Sequence, residues 1–495
     1  AADAFFPLAF VEGSALISSA LGAALIVLSL GVARRNAGAF LLSLGAMAAG
    51  AVMALLQGFD IERAGALALA FAILVPFRPA FHRRAVLTHA VLTPSAILLT
   101  LSTLTALGFV LFFATKSTPF ANEMWLEFAL DARAPRALRA GLVASLLVFV
   151  ATLALLLRSP RFRPAPPDEA TLAAAAAILG QADAPDAAFA LIGDKAILLG
   201  SAHRAFVAFG VQGRSWVALG GPVGPAGDAA DVAWEFVASA RRAGARPVFY
   251  EVGARHIPLM LDLGMSLHKI GEEAMIDLAT FSLEGPGRRG LRATHARAGR
   301  DGLTFTLSAP PHAPALMARL RVISDAWLAA KGGREKGFSV GRFDEAWLGR
   351  WRLALAWHGG EVVGFANLLE TGPAAPVTLD LMRHARPAPP GTMEYLFTAT
   401  LLALKAEGAA RFSLGMAPLA GLAPERSRRI WDKFGAAIFR HGGHFYNFAG
   451  LRAFKQKFDP DWRPRYLAVP TALPPLLPLA DAARLIARQP IPARG

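Results

Sequence analysis

The chain has 495 residues, 54% of them hydrophobic, yet it carries 51 Lys plus Arg against 36 Asp plus Glu, a formal net charge of +15. One ordinary soluble domain does not combine such apolarity with such charge, so the composition predicts a membrane part joined to a basic soluble part. The excess charge points to a polyanionic partner, either anionic lipid headgroups or nucleic acid, and the lack of any cysteine excludes disulfides, thiol nucleophiles and cysteine metal sites.

The first 160 residues read as transmembrane helices. Five apolar runs follow one another at 15–32, 39–56, 64–77, 91–115 and 138–157; the third is short for a span, which needs about 20 apolar residues. Arg34 and Arg35, then Arg78, His82, Arg83 and Arg84, then Arg158, Arg161 and Arg163 follow runs one, three and five. The positive-inside rule places those loops, and everything beyond them, in the cytoplasm. The start AADAFF, without a Met, reads as that of a fragment or a processed product.

Residues 161–168 form a Pro-rich linker, and Asp168 is suited to cap the helix that follows. From there strand and helix patterns alternate, which predicts an α/β or α+β region. Two hairpin-like stretches, FVAFGVQGRSWVALGG and RLALAWHGGEVVGFANLLE, suggest two similar lobes, 169–300 and 301–495. The first ends in a basic run with Arg288, Arg289, Arg292, His295, Arg297 and Arg300. That run reads either as a solvated helix face or as a phosphate-binding surface.

The stretch VTLDLMRHARPAPPGTMEYLF, residues 377–397, places Asp380 and Arg383 at the end of an apolar strand, before prolines and a glycine. A straight strand puts the two on opposite faces, so they converge only if the strand ends near Asp380. They would then be either a salt bridge closing the strand or a carboxylate and a cation at the mouth of a cleft. Further on, FYNFAGLRAFKQKFDPDWRPRY interleaves aromatics with Arg452, Lys455 and Lys457, as in an element packed on one side and offering cations to phosphates on the other. Glu272 and Glu273 are either solvent-side strand residues or candidates for recognising a cation. The histidines of HGGH, 441–444, read as incidental, so neither a metal nor a cofactor is expected.

Ordered blocks along the chain, among them GDKAILL, VQGRSWVALGGPVGP, KIGEEAMIDLATFSLEG, EKGFSVGRFD, LDLMRH, GTMEYLF and FYNFAGLRAFKQKFDPDWRPRY, resemble the bacterial phosphatidylglycerol lysyltransferase family, also called multiple peptide resistance factor. The resemblance implies a multi-pass inner-membrane enzyme with two cytoplasmic acetyltransferase-like (GNAT) lobes. Its activity would move an aminoacyl group, lysyl in preference to alanyl, from aminoacyl-tRNA to the glycerol hydroxyl of phosphatidylglycerol. The product lipid would protect against cationic antimicrobial peptides. Full members carry an N-terminal flippase half, which on this reading is expected as a partner lying outside this chain; homodimerisation through the spans is a further expectation.

The family motif matches Asp380 and Arg383. On this reading Asp380 holds the amino group or takes the hydroxyl proton, and Arg383 holds a phosphate of the lipid or of the terminal adenosine. Glu272, Glu273, Arg452, Lys455 and Lys457 bind substrate, and Arg288, Arg289, Arg292 and Arg297 meet the acceptor stem. An activated ester needs alignment and oxyanion stabilisation rather than covalent machinery. Rival readings are a flippase with regulatory lobes and a peptidoglycan-type aminoacyl-tRNA transferase.

Overall fold

In a computed structural model of the chain, the described residues are a few positions between 21 and 32, then 37–56, 60–81, 164–331, 333–421 and 448–488. Two compact units are formed, one up to Arg161 and one beginning at Phe162.

In the N-terminal unit, α1 (Ala37–Leu56) has no charged residue and spans 20 residues. At 1.5 Å per residue that is about 30 Å, the thickness of a bilayer's hydrocarbon core. Leu41, Val52 and Leu55 stay exposed on it, as a lipid-facing helix requires. Asp60 caps α2 (Ile61–Leu74), accepting from the Arg63 N–H at 3.1 Å. With 14 residues α2 is too short to span, and the prolines of Val75–Ala80 tighten its end into a 3-10 turn. Among the described residues α1 is thus the one helix with spanning length and composition. The first expected span is described only at scattered positions, and the fourth and fifth lie outside the described residues.

The C-terminal unit starts as expected, with Asp168 accepting from the Thr171 N–H at 2.8 Å to cap α3 (Glu169–Leu179). Its strands form one mixed sheet of eleven, in the order β1-β2-β3-β4-β11-β5-β10-β9-β8-β7-β6. In the first half, β1 (Ala196–Leu199), β2 (Phe206–Gln212) and β3 (Ser215–Leu219) are antiparallel. Helix α4 (Ala226–Arg242) crosses over to β4 (Arg246–Gly253), parallel to β3, and α5 (Ile257–Asp262) leads to β5 (Met265–Asp277).

After α6 (Arg289–Arg300) the second half repeats the plan. Strand β6 (Thr304–Ser308) leads through α7 (Pro314–Ala330) and the short α8 (Glu345–Leu348) to β7 (Arg352–His358), β8 (Glu361–Leu369) and β9 (Val377–His384). These strands are antiparallel, and α9 (Thr392–Ala406) crosses to β10 (Arg411–Pro418), parallel to β9. Helix α10 (Phe448–Gln456) precedes β11 (Asp461–Pro470), and α11 (Leu476–Ala487) ends the described chain.

Both hairpins read in the sequence are present, β2–β3 and β7–β8, the latter turning at Gly359 and Gly360 with φ of 58° and 83°. The halves exchange their last strands: β5 pairs with β10, β11 pairs with β4, and β5 and β11 pair antiparallel with each other. A boundary at residue 300 therefore does not divide the sheet. One apolar core, with Leu320, Trp347, Phe365, Leu467 and Leu485, crosses both halves. A second, with Leu291, Phe397, Phe412 and Phe458, lies under α6, α9 and α10.

Candidate active site

In the second half the parallel pair holds together only briefly. Pairing of β9 with β10 is confined to Val377↔Phe412 and Thr378↔Ser413, where the Thr378 hydroxyl donates to the Ser413 carbonyl at 3.1 Å. Beyond it the strands part, and it is at such carboxyl-end partings that open α/β sheets hold ligands.

Asp380 sits at that parting. Strand β9 does not end there, as the sequence reading required, but runs on to His384. Convergence with Arg383 comes instead from a bulge: Ala366 pairs with Met382 and Leu368 with Leu379, so Asn367 alone faces Asp380 and Leu381. The Asn367 Oδ1 accepts from the Leu381 N–H at 2.7 Å. One extra residue reverses the side-chain alternation, and both Asp380 and Arg383 then point to the face carrying α7 and α8.

The Asp380 carboxylate is half-buried among donors. Its Oδ1 accepts from the Gly341 N–H at 2.7 Å and its Oδ2 from Trp347 Nε1 at 3.2 Å. The loss of water pushes its pKa up to about 6; the Gly341 and Trp347 hydrogen bonds, the Asn367 amide and the Arg383 charge oppose that rise. A Cβ on residue 341 would stand 1.7 Å from Asp380 Oδ2, so only glycine lets the backbone approach this closely.

Arg383 is committed elsewhere. It forks onto Glu335 with two 2.8 Å bonds, donates to the Ser324 hydroxyl and lies 5.5 Å over the Trp327 ring. With its side chain 4% exposed, it is a buried structural ion pair and does not offer its guanidinium to a phosphate. Of the two readings of Asp380 and Arg383, the salt bridge between them is not formed; Arg383 pairs with Glu335 instead.

Glu335 belongs to a strap, residues 335–343, that joins the halves. Its Phe338 takes a left-handed φ of 64°, and both of its backbone groups are held by the first half. The N–H donates to Asp194 Oδ2 at 2.9 Å, and the carbonyl accepts from the buried Lys195 Nζ at 2.7 Å. Burial lowers the Lys195 pKa, and Asp194, 2.5 Å away, opposes that loss of charge. The next residue, Ser339, hydrogen-bonds Glu251 of β4. The strap thus touches the first-half carboxylate through Ser339 and the second-half carboxylate through Gly341.

A second charged cluster lies at the middle of the sheet. Arg465 on β11 reaches Glu273 at 2.6 Å, Asp186 at 2.8 Å and the Glu251 carbonyl at 3.2 Å, and Ser413 donates to Glu273 at 2.6 Å. Glu251 has a φ of 64°, and burial, with Asp186 beside it, pushes its pKa up to about 8.

Other sequence-predicted residues fall in different places. Lys455, expected to face phosphates, is buried instead: its Nζ donates to the Gly415 and Met416 carbonyls at 2.9 and 3.0 Å, backbone groups that β10 frees on leaving β9. Burial lowers its pKa to about 8. Glu273 is in the central cluster, while Glu272 pairs with Lys269 at 2.6 Å and more loosely with Arg452 at 3.5 Å. Arg452 also lies 4.9 Å over Trp462, and Lys457 pairs with Glu394.

On α6, Leu291 and Ala298 face the core while Arg289, Arg292, Arg297 and Arg300 share the outer face. Arg292 is held by the Leu283 and Gly285 carbonyls, Arg297 pairs with Asp301 and Arg288 with Asp459. The HGGH histidines lie outside the described residues, and no metal-binding group of side chains occurs among the described ones. Sequence reasoning missed Asp194, Lys195, Glu251, Glu335, Gly341, Trp347 and Arg465; the dense glycine and charge of GDKAILL and EKGFSVGRFD was the available signal.

Residues 176–469 match the family model described as phosphatidylglycerol lysyltransferase, C-terminal. Relatives bearing the name phosphatidylglycerol lysyltransferase align over 278 residues at 39% identity in Bacillus subtilis and over 276 residues at 32% in Staphylococcus aureus. Each alignment takes in 56% of this chain but 32% and 33% of the relatives, so the chain matches about a third of their length. Among solved structures, a C-terminal DUF2156 domain from Agrobacterium fabrum is 39% identical, covers 64% of this chain and 97% of its own, and superposes with a TM-score of 0.59. L-PGS from Bacillus licheniformis is 33% identical, covers 66% of this chain and 100% of its own, with a TM-score of 0.57. The C-terminal unit has the mixed-sheet fold of these domains.

Proposed function

Because the chain belongs to the phosphatidylglycerol lysyltransferase C-terminal family, we propose that it transfers an aminoacyl group, lysyl in preference to alanyl, from aminoacyl-tRNA to a glycerol hydroxyl of phosphatidylglycerol. The observation that carries this reading is Asp380, a half-buried carboxylate with its pKa raised to about 6, at the parting of β9 and β10 within the matched region. The donor ester is already activated, so the site has only to bring a hydroxyl to the carbonyl and remove its proton. A carboxylate poised one unit below neutrality is mostly ionised at pH 7 and still basic enough to accept that proton.

The roles follow from the geometry. Asp380 is the general base, with the Gly341 N–H and Trp347 indole holding its orientation. Arg383 and Glu335 anchor the strap that supplies Gly341, which makes them positioning residues. The outer face of α6 contributes positive potential for the RNA. The helix α1 has the span to hold the enzyme at the bilayer, in keeping with a multi-pass inner-membrane protein whose catalytic unit faces the cytoplasm. A flippase half elsewhere would move the product lipid across.

The experiment is transfer of labelled lysine, and separately labelled alanine, from charged tRNA to phosphatidylglycerol in detergent. Label in the lipid from one donor, lost in Asp380→Asn with the protein still folded, is the expected result. No lipid label from either donor overturns the transferase assignment. Equal labelling by wild type and Asp380→Asn removes Asp380 from the chemistry.

A further inference from the structure

Next in the chain to the glycine that holds Asp380 is an arginine paired only loosely within the fold. Arg342 follows Gly341, whose N–H holds the Asp380 carboxylate. Its side chain is 16% exposed, and its nearest acid is Asp344, at 3.9 Å. That acid is already engaged: Asp344 Oδ1 accepts from the Trp347 N–H at 3.0 Å as the cap of α8. The Nη1 of Arg342 is buried and has no hydrogen-bond partner among the described residues. Its charge is close enough to Lys195 to work against that ammonium, which also feels Asp380.

A half-buried guanidinium with one buried fork arm unused is costly unless an anion completes it. Arg383, by contrast, has two bonds to Glu335 and a third to Ser324. We infer that Arg342, and not Arg383, is the residue that binds the phosphodiester of the acceptor lipid's headgroup, setting the glycerol hydroxyl against Asp380. This rests on the transferase reading given above.

Headgroup chemistry favours the lipid over the RNA as the source of that anion. The phosphodiester of phosphatidylglycerol carries one charge and is joined to the reacting hydroxyl by a three-carbon glycerol, so a single guanidinium on the strap that holds the base matches it. A planar fork takes two phosphate oxygens at once, which fixes orientation as well as affinity. A nucleic acid presents a series of phosphates and is held by several cations; near Asp380 the other buried cations, Lys195 and Arg383, are bonded to Asp194 and Glu335. The exposed face of α6 is the better place for such a series.

The test uses the full chain in mixed micelles, with phosphatidylglycerol and charged tRNA varied separately, for wild type, Arg342→Gln and Arg342→Lys. Loss of a charge-assisted fork is expected to raise the apparent KM for phosphatidylglycerol by about 10-fold or more in Arg342→Gln. The KM for aminoacyl-tRNA should stay within about 2-fold, and Arg342→Lys, keeping charge without the fork, should fall between.

Binding is read independently by thermal shift with glycerophosphoglycerol and with inorganic phosphate. A shift with glycerophosphoglycerol in wild type that Arg342→Gln abolishes supports the assignment even if transfer is not observed. A phosphatidylglycerol KM within 2-fold of wild type, a rise confined to the KM for aminoacyl-tRNA, or a shift given by inorganic phosphate alone overturns it. If Arg342→Gln does not fold, Arg342→Lys decides by the same criteria. No lipid label from wild type, with the Arg342-dependent shift intact, would sink the transferase reading while leaving the anion site standing.

Discussion

The two halves part their parallel strands in the same way but place their carboxylates differently. In the first half the β3–β4 pairing ends at Leu219↔Tyr250, and the next residue of β4 is Glu251, turned into a left-handed φ. In the second half the β9–β10 pairing ends at Thr378↔Ser413, and the kink of β10 falls on Gly415, with φ 77°, while the carboxylate is Asp380 on the other strand. Glu251 is embedded among acids and Arg465, and its pKa rises to about 8; Asp380 is surrounded by neutral donors, and its pKa rises only to about 6. Donors that favour the ionised form keep one carboxylate usable as a base at neutral pH, whereas burial, with acids beside it, keeps the other protonated. The repeat supplies two splits, and hydrogen bonding selects the one that can take a proton.

Breaking the second-half carboxylate should have the largest effect. Replacing a general base costs about 10²–10⁴ in rate, so Asp380→Asn should lower kcat by at least the lower figure. In wild type the rate should rise with pH and level off above about 6, since the base must be ionised; the residual rate of Asp380→Asn should show no such step. A variant with an unchanged inflection near 6 would assign that titration to another group.

Next is the ion pair beneath it. Glu335→Ala leaves Arg383 buried without its carboxylate, a loss of about 3–5 kcal/mol for a pair this enclosed. A Tm fall of several degrees is expected, along with lower activity, because Glu335 also accepts from the Phe343 N–H on the strap. Pairing it with Arg383→Met should recover part of the stability; a double variant no more stable than Glu335→Ala alone would show that the pair is not coupled.

How much of this could be read from sequence follows from the range of each contact. Asp168, the two hairpins and the helix after Gly391 are local, and turn and cap residues a few positions apart specify them. Asp380 and Arg383 were also visible, as charges in an apolar strand, but the relation between them depends on one bulge residue set by Asn367 of the neighbouring strand. Hydrophobic alternation carries no trace of a bulge, so the strand was expected to end. The clasp of Lys195 on Phe338 joins residues 143 positions apart, beyond any local pattern. Lys455 was legible as a cation on an amphipathic helix, yet its side chain turned inward because β10, on leaving β9, exposes two carbonyls that need a donor.

The first-half carboxylate gives a smaller, pH-shaped effect. Glu251 has a folded pKa raised from 4.5 to about 8, so folding favours its protonated form. Its contribution to stability is complete below about 4.5 and is lost as the pH rises toward 8. Glu251→Gln, a mimic of the protonated acid, should therefore show a flatter dependence of Tm on pH than wild type between those limits. Parallel curves would mean that Glu251 is ionised in the fold and that Arg465 outweighs its acidic neighbours. Retained transfer in this variant would sharpen the contrast with Asp380.

The smallest effect is expected at the surface, where neither half buries anything. Arg289 and Arg300 lie exposed on one face of α6, and Arg297 beside them is tied only loosely, to Asp301 at 3.7 Å. Each phosphate contact contributes about 0.7–0.9 to the slope of log affinity against log salt. The double variant Arg289→Gln, Arg300→Gln should therefore weaken aminoacyl-tRNA binding modestly at low salt and reduce that slope by roughly 1–2, with kcat and the KM for phosphatidylglycerol unchanged. An unaltered slope would make this face a solvated one and place the RNA elsewhere on the unit. A changed lipid KM would instead mean that α6 lies against the bilayer, so the same two residues separate an RNA-facing surface from a membrane-facing one.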